Sequence, residues 1–337
     1  MNFDDFYCKA IKCEVKMTKV AIVGYGNLGK ACEGIAVERK DFDLVGIFTR
    51  RNPASMISPY NTRFFSQQDL IDCEGEIDVL VLCTGSKNDL VPLACTSARH
   101  FNTVDSFDNH NEMRGYVAKL DHIAKDSGHL SIVGAGWDPG VFSLMRGLFE
   151  GVTGGKAHTF WGIGVSQGHS EAVRGLDGVK NAVQYTIPNE DVVKMVKAGG
   201  EGNLTPQDKH KRVCYVVLED GADKCRIEEQ IKSMPDYFLG YETEVYFVDQ
   251  EELTKNHSEL CHGGQVLCSN NINGKNATID FTLKLQSNPN FTASVMMSYA
   301  KCVDRMYNQG ERGAKTILDI PITALFEDRL DTMGKYL

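Results

Sequence analysis

Short apolar runs recur along the first 140 residues, each followed by a stretch with helical spacing. Strands are predicted at Val20–Val23, Leu44–Phe48, Val79–Cys83, Thr103–Asp105 and Leu130–Val133, and helices near Leu28–Arg39, Gln67–Cys73, Leu90–Ala98 and Glu112–Asp126. Strands alternating with helices predict βαβ units and a parallel sheet, which binds ligands at the carboxyl ends of its strands. After Gly136 the character changes and the runs lengthen: His158–Ile163, Val183–Ile187, Val213–Leu218, Glu242–Val248 and Ala277–Leu285. In the last of these, Ile279, Phe281, Leu283 and Leu285 alternate with Asp280, Thr282 and Lys284, the pattern of a sheet with one wet face. Helices at Asp191–Ala198 and Arg226–Met234 complete a second, α+β domain. Asn288-Pro289 breaks the last strand, and Phe291–Asn308 reads as a helix with Val295, Tyr299, Val303 and Met306 on one face. The expected organisation is a doubly wound α/β domain over residues 17–137, an α+β domain over 138–288, and a segment 289–337 that packs back on the first.

The first predicted strand runs directly into Gly24-Tyr25-Gly26-Asn27-Leu28-Gly29, which opens the first helix. A glycine triplet in that context, with a second strand ending about twenty-five residues on, is the fingerprint of a Rossmann-type dinucleotide site. Gly24 allows the tight turn, Gly26 lets the backbone approach a pyrophosphate, and Gly29 allows close packing. The phosphates would then lie at the helix N-terminus, where unpaired N–H groups and the dipole favour negative charge. The second strand ends in Thr49-Arg50-Arg51 rather than in a carboxylate. Two guanidinium groups and a hydroxyl suit a ribose 2′-phosphate, so the expected cofactor is NADP(H). By position after their strands, Thr84-Gly85-Ser86 and Ser106-Phe107-Asp108 are cofactor-edge loops.

Two acidic loops stand where a nicotinamide ring should lie: Asp105-Ser106-Phe107-Asp108-Asn109-His110 and Gly134-Ala135-Gly136-Trp137-Asp138-Pro139-Gly140. Converging carboxylates suit an ammonium substrate, because they can hold it, take up its proton and orient a hydrolytic water. Taken singly, Asp108 reads equally well as a turn cap and Asp138 as an Asp-Pro turn. In the second domain, Arg212 is a candidate carboxylate clamp, His262 a candidate donor, and Trp161 a candidate wall, while Ser166–Ser170 looks like a helix start. Spacing alone favours the plainer readings: Arg212 is more often a surface charge, His262 an ordinary loop residue and Trp161 a core residue.

Composition narrows the classes. A net charge of -9 over 337 residues argues against a nucleic-acid partner. There is no apolar run of about eighteen residues, so no membrane span is expected. The eleven cysteines are scattered without a CxxC pair, which predicts reduced thiols, a cytoplasmic protein and no metal site. Residues 1–16 lack the apolar stretch of a signal peptide and read as an extension or an upstream start before Met17.

Together these segments resemble the meso-diaminopimelate dehydrogenase family from about Thr18 to Ile320. The carriers are Val20–Gly29, Asp43–Arg51, Asp108-Asn109-His110, Gly136–Gly140, Thr159–Gly162, Ser166–Ser170, Met234–Phe238, His262-Gly263-Gly264 and Asn288-Pro289. The resemblance implies an NADP-dependent homodimer that oxidises the D-configured amino carbon of meso-2,6-diaminopimelate to L-2-amino-6-oxopimelate, ammonia and NADPH. The product cyclises to tetrahydrodipicolinate, a lysine and cell-wall precursor. It further implies that Asp108 and Asp138 lie at the reacting centre, with Trp161, Gln167 and Gly168 nearby. Thr186, Arg212, His262 and Asn288 would hold the distal L-end. Tyr25–Leu28, Arg50–Arg51, Cys83–Ser86 and the Ala135, Gly136, Trp137 and Pro139 stretch would meet the cofactor, with residues 138–288 forming the substrate and dimerisation domain. Thr49, Phe107 and Ala135 depart from the family's usual serine, tyrosine and threonine, and none removes a charge.

Two other readings are weaker. A dihydrodipicolinate reductase or aldehyde dehydrogenase would show a paired-His motif or a Ser-Cys-Thr-Thr-Asn segment, and neither is present. Tyr116 and Lys119 also lack the four-residue spacing of short-chain reductases. A non-catalytic NADP sensor has no need of two carboxylates at the nicotinamide edge.

Overall fold

The computed structural model describes residues 17–85, 89–200, 202–259, 261–327 and 329–337. The leader 1–16 and the candidate Ser86 therefore lie outside the described residues. The chain divides into two units, one running to Pro139 and resuming at Thr292–Leu337, the other spanning Gly140–Phe291.

The first unit is built on β1 (Thr18–Val23), β2 (Phe42–Thr49), β3 (Phe64–Ser66), β4 (Val79–Leu82), β5 (Asn102–Asp105) and β6 (Leu130–Val133). A seventh strand, Gly313–Thr316, joins beside β6, and the order Gly313–Thr316, β6, β5, β4, β1, β2, β3 is parallel throughout. Every residue of β4, β5 and β6 is buried, as are all but Lys19 in β1. Helices cover both faces of such a sheet, which explains the unbroken apolar runs Val20–Val23 of β1 and Val79–Leu82 of β4. The chain leaves β1 toward β2 and β3, then returns to β4 on the other side, so β1 sits at the topological switch point. Helices Asn27–Glu38, Leu90–Ser97 and Met113–Ser127 fill the crossovers, the last ending on left-handed Gly128. Gln67–Cys73, expected as an α-helix, is 3₁₀ with Leu70 its one buried residue, so no apolar face supports a longer turn. β3 and the strand Gly313–Thr316 were not expected. Both are edge strands of only three and four residues, too short for a pattern of alternation to show.

The second unit opens with helix Val141–Thr153, also unexpected, which buries Phe142 and Phe149. Its strands are β7 (Ala157–Trp161), β8 (Gly164–Val165), β9 (Val179–Pro188), β10 (His210–Leu218), β11 (Thr243–Phe247), β12 (His262–Ile272) and β13 (Lys275–Leu285), which leaves Gly313–Thr316 as β14. They form a four-stranded sheet, β11-β10-β9-β8, and a three-stranded sheet, β13-β12-β7. Val173, Val179, Ala182, Cys214, Val216, Ile227, Ile231 and Phe238 make a buried core beneath the first of these. β12 escaped the sequence because it begins His262-Gly263-Gly264, and glycine weakens a strand pattern. The structure needs both glycines: a Cβ would come within 2.3 Å of the Leu283 carbonyl oxygen at Gly263 and 2.4 Å of the Phe160 carbonyl oxygen at Gly264. The last long helix starts at Asn288, so Pro289 sits in its first turn, where a missing N–H costs nothing. Among the described residues no helix is long and apolar enough to cross a membrane.

Candidate functional site

In the first unit the candidate residues gather at the carboxyl edge of the parallel sheet. Gly24 follows β1 with φ of +98°, and a Cβ there would meet the Cys83 carbonyl oxygen at 2.7 Å. A Cβ on Gly29 would lie 2.2 Å from the Gly24 carbonyl oxygen. Both glycines are thus demanded by the chain's own packing. Gly26 is not: its φ of -87° suits any residue, and a Cβ there meets nothing within 4 Å. An external group approaching the backbone is the remaining reason for glycine at this position, and a pyrophosphate fits it, with exposed Asn27 and half-buried Leu28 opening the helix beside it.

Tyr25 keys this turn into the segment after β2. Its hydroxyl donates to buried Glu33 at 2.6 Å, Ser58 donates to the same carboxylate, and the Arg51 guanidinium donates to the Tyr25 carbonyl at 2.6 Å. Burial, with the Glu33 bond, pushes the Tyr25 phenol up to about 12. The Arg51 amide donates to buried Thr49 Oγ1 at 3.1 Å. Arg50 makes a two-pronged ion pair with Asp89, at 2.9 and 2.7 Å. The two arginines expected to face a phosphate together are therefore differently committed, one to the glycine turn and one to a carboxylate. Thr84 Oγ1 is buried without a partner among the described residues, Gly85 is exposed, and the Cys83 thiol lies 3.6 Å from Cys32 Sγ.

The two acidic loops meet through Asp105. Its buried carboxylate accepts from the Phe107 amide at 2.9 Å, the Gly134 amide at 3.3 Å and the Tyr116 hydroxyl at 2.6 Å. Its carbonyl accepts from the Ala135 amide at 2.8 Å. Burial pushes the Asp105 carboxyl up against the opposing pull of these bonds, and burial with the adjacent Asp105 charge raises the Tyr116 phenol. His110 Nε2 stands 3.9 Å from Asp138 Oδ1, a second link between the loops. The Asp138 side chain is 1 % exposed, whereas Asp108 is exposed. Ser106 is half-buried and Pro139 likewise, while Ala135, Gly136 and Trp137 are buried. Phe107 packs its ring on Tyr116 at 4.7 Å, so only its backbone faces outward chemistry.

The second unit assembles its candidates around β8, β9 and β10. Thr186 on β9 pairs in register with Arg212 on β10 and with Gly164 on β8. Arg212 is 6 % exposed and donates to Thr186 Oγ1. Its guanidinium lies 4.2 Å over the Tyr241 ring, and its Nε is buried without a partner among the described residues. Burial lowers its pKa, and the groups that oppose this are Tyr241 and Cys214, with no carboxylate among them. His262, at the start of β12, packs against Gly164, where a Cβ would come within 2.5 Å of its ring. His262 Nδ1 lies 2.8 Å from the Gly263 amide nitrogen and 3.1 Å from the Gly263 carbonyl oxygen.

Trp161 stacks on His210 at 5.1 Å, and its amide donates to His210 Nε2 at 2.8 Å while the other ring nitrogen bonds the Pro206 carbonyl. Burial drives His210 down to about 4 and His169, bonded to Ser166 at 2.6 Å, to about 3, so both rings are neutral. Gln167 and Gly168 are exposed in the first turn of helix Gln167–Arg174, and Asn288 lies three residues past Leu285, the register partner of His262.

Asp89, Asp105, His210 and Tyr241 were not singled out from the sequence. Asp105 alone carried a signal, a carboxylate at the carboxyl end of an expected strand.

Comparison with known proteins extends these observations. The family model for the diaminopimelic acid dehydrogenase C-terminal domain matches residues 136–287. A meso-diaminopimelate D-dehydrogenase of Ureibacillus thermosphaericus is 45% identical over 321 residues, 95% of this chain and 98% of the relative. The structure of a C. glutamicum DAP dehydrogenase in complex with DAP superposes with a TM-score of 0.89 at 41% identity, covering 95% of this chain and 98% of the other. An engineered D-amino acid dehydrogenase bound to NADP+ gives 0.85 at 39%, covering 95% and 99%. With the sheet order, the glycine turn and near-complete coverage in agreement, the chain belongs to the meso-diaminopimelate D-dehydrogenase family.

Proposed function

We propose that this chain catalyses the reversible, NADP-dependent oxidative deamination of the D-configured centre of meso-2,6-diaminopimelate. Water enters, and L-2-amino-6-oxopimelate, ammonia and NADPH leave. The observation that carries this reading is Arg212, a buried guanidinium with no carboxylate paired to it among the described residues. Such a charge is costly unless a ligand completes it, and a planar fork matches a carboxylate.

Bound NADP+ would accept the hydride from the amino-bearing carbon. Its pyrophosphate is assigned to Gly24–Gly29, its 2′-phosphate to Thr49, Arg50 and Arg51, and its outer edge to Cys83–Ser86, Ser106, Phe107, Ala135, Gly136, Trp137 and Pro139. Asp138, shielded from water, holds the substrate ammonium. Asp108, exposed, relays the proton to solvent as the amine becomes an imine and orients the water that hydrolyses it. Trp161, fixed by His210, walls this centre with Gln167 and Gly168. Both ends of the substrate carry the same groups and differ only in handedness, so the distal end must be gripped to choose which carbon reacts. Arg212, Thr186, His262 and Asn288 supply that grip through oriented hydrogen bonds. We place the enzyme in the cytoplasm, as a homodimer joined through residues 138–288, in lysine and cell-wall precursor metabolism.

Purified protein given NADP+ and meso-diaminopimelate tests this directly. Growth of the NADPH absorbance band, absent with the L,L isomer, is expected. A folded protein that is silent with the meso compound, or equally active on the L,L isomer, would overturn the reading.

A further inference from the structure

We infer that the Arg50–Asp89 ion pair is a clasp across the glycine turn, and that Asp89 tunes cofactor specificity by holding the guanidinium that the 2′-phosphate must capture. The inference rests on the NADP reading above.

The sheet order places β1 between β2 and β4, and Val23 is level with Phe48 on one side and Leu82 on the other. Arg50 follows the end of β2, Asp89 lies beyond the end of β4, and the glycine turn emerges from β1 between them. The bidentate bond at 2.9 and 2.7 Å therefore spans the strand that delivers the phosphate-binding turn. Asp89 also breaks a local rule. It stands immediately before helix Leu90–Ser97, where an aspartate ordinarily accepts an amide hydrogen bond of that helix, yet its side chain makes no such bond. The carboxylate is turned instead to a residue thirty-nine positions earlier. Arg51 is committed to the Tyr25 carbonyl, so Arg50 is the arginine whose partner can be exchanged.

A phosphate offers the same two-oxygen fork as the carboxylate and carries more charge, so it displaces Asp89. The ribose hydroxyl of NAD offers neither and leaves the pair closed. Because both partners reach solvent, with side chains 64 % and 38 % exposed, the effect is modest, on the order of two- to fivefold in affinity.

The test is the binding of NADPH and NADH, followed by nucleotide fluorescence, to the parent, Asp89→Asn, Arg50→Met and the double variant. Asp89→Asn should tighten NADPH about two- to fivefold, leave NADH unchanged, and have no effect in the Arg50→Met background. Unchanged or weaker NADPH binding, equal tightening of NADH, or a gain that persists without Arg50 would each overturn the clasp. A parent that binds NADH as well as NADPH would overturn the NADP reading itself. That result is read from the parent alone, whereas the clasp is read from the ratio of variant to parent.

Discussion

Arg50 and Arg212 carry the same group in opposite circumstances. Arg50, in the parallel-sheet unit, has a side chain 64 % exposed and a carboxylate in both prongs. Arg212, in the second unit, is buried against Thr186 and Tyr241 with no carboxylate to neutralise it among the described residues. In the first unit the buried ionisable groups Asp105, Glu33 and Tyr25 are all hydrogen-bonded, although the Thr84 hydroxyl has no partner among the described residues. The second leaves a charge incomplete, and such a charge costs folding free energy that only a ligand offsets. A charge already paired within the chain can exchange partners with a cofactor, whereas a buried unpaired one is suited to recognition.

Variants of the two regions should therefore fail differently. The largest effect is expected in the first unit: Asp108→Asn should lower kcat about a hundredfold or more while NADPH binding is kept, and a fully active variant would remove Asp108 from the chemistry. In the second unit, Arg212→Met should raise KM for meso-diaminopimelate by about a hundredfold and leave NADPH affinity alone. The same substitution should raise Tm, because a buried uncompensated charge is replaced by an apolar chain of similar length. A lower Tm would show that Arg212 is a structural strut and dissolve the contrast with Arg50.

Acid should also separate the regions. His169 and His210 are held neutral at about 3 and about 4, against about 6.5 when unfolded. As pH falls below about 6.5 the unfolded chain binds protons that the folded chain refuses. Stability contributed by these rings is thus complete above pH 6.5 and declines toward pH 4, on the order of 1 kcal/mol per pH unit for each. Melting followed across this range should lose part of its slope in His210→Asn; an unaltered slope would discount this histidine. The smallest effect concerns the glycine turn. Tyr25→Phe removes one of the two hydroxyls on Glu33 and should cost roughly 1 kcal/mol of stability and a few-fold in NADPH affinity, read by melting and by fluorescence titration.

The parallel sheet was legible because strands buried on both faces leave unbroken apolar runs, as in Val20–Val23 and Val79–Leu82. The glycine turn was legible because its meaning depends on neighbours in sequence. β12 was not, since its glycines answer to Leu283 and Phe160, far along the chain. Nor was β14, whose Gly-Ala-Lys-Thr acquires its role only beside β6. For the candidate site, residue types and loops could be read, but partners could not. Asp89 is remote from Arg50 in sequence, and no periodicity reports that Arg212 is enclosed rather than solvated.

Asp105 has a consequence for how this protein can be altered. One carboxylate receives the backbones of both acidic loops, so neither loop has an independent address. Lengthening or re-aiming the 106–110 segment drags on Gly134, and changes at 134–139 pull back on Phe107. Substitutions in the two segments should therefore be strongly epistatic, and libraries that diversify both at once should find solutions that stepwise walks through either one miss.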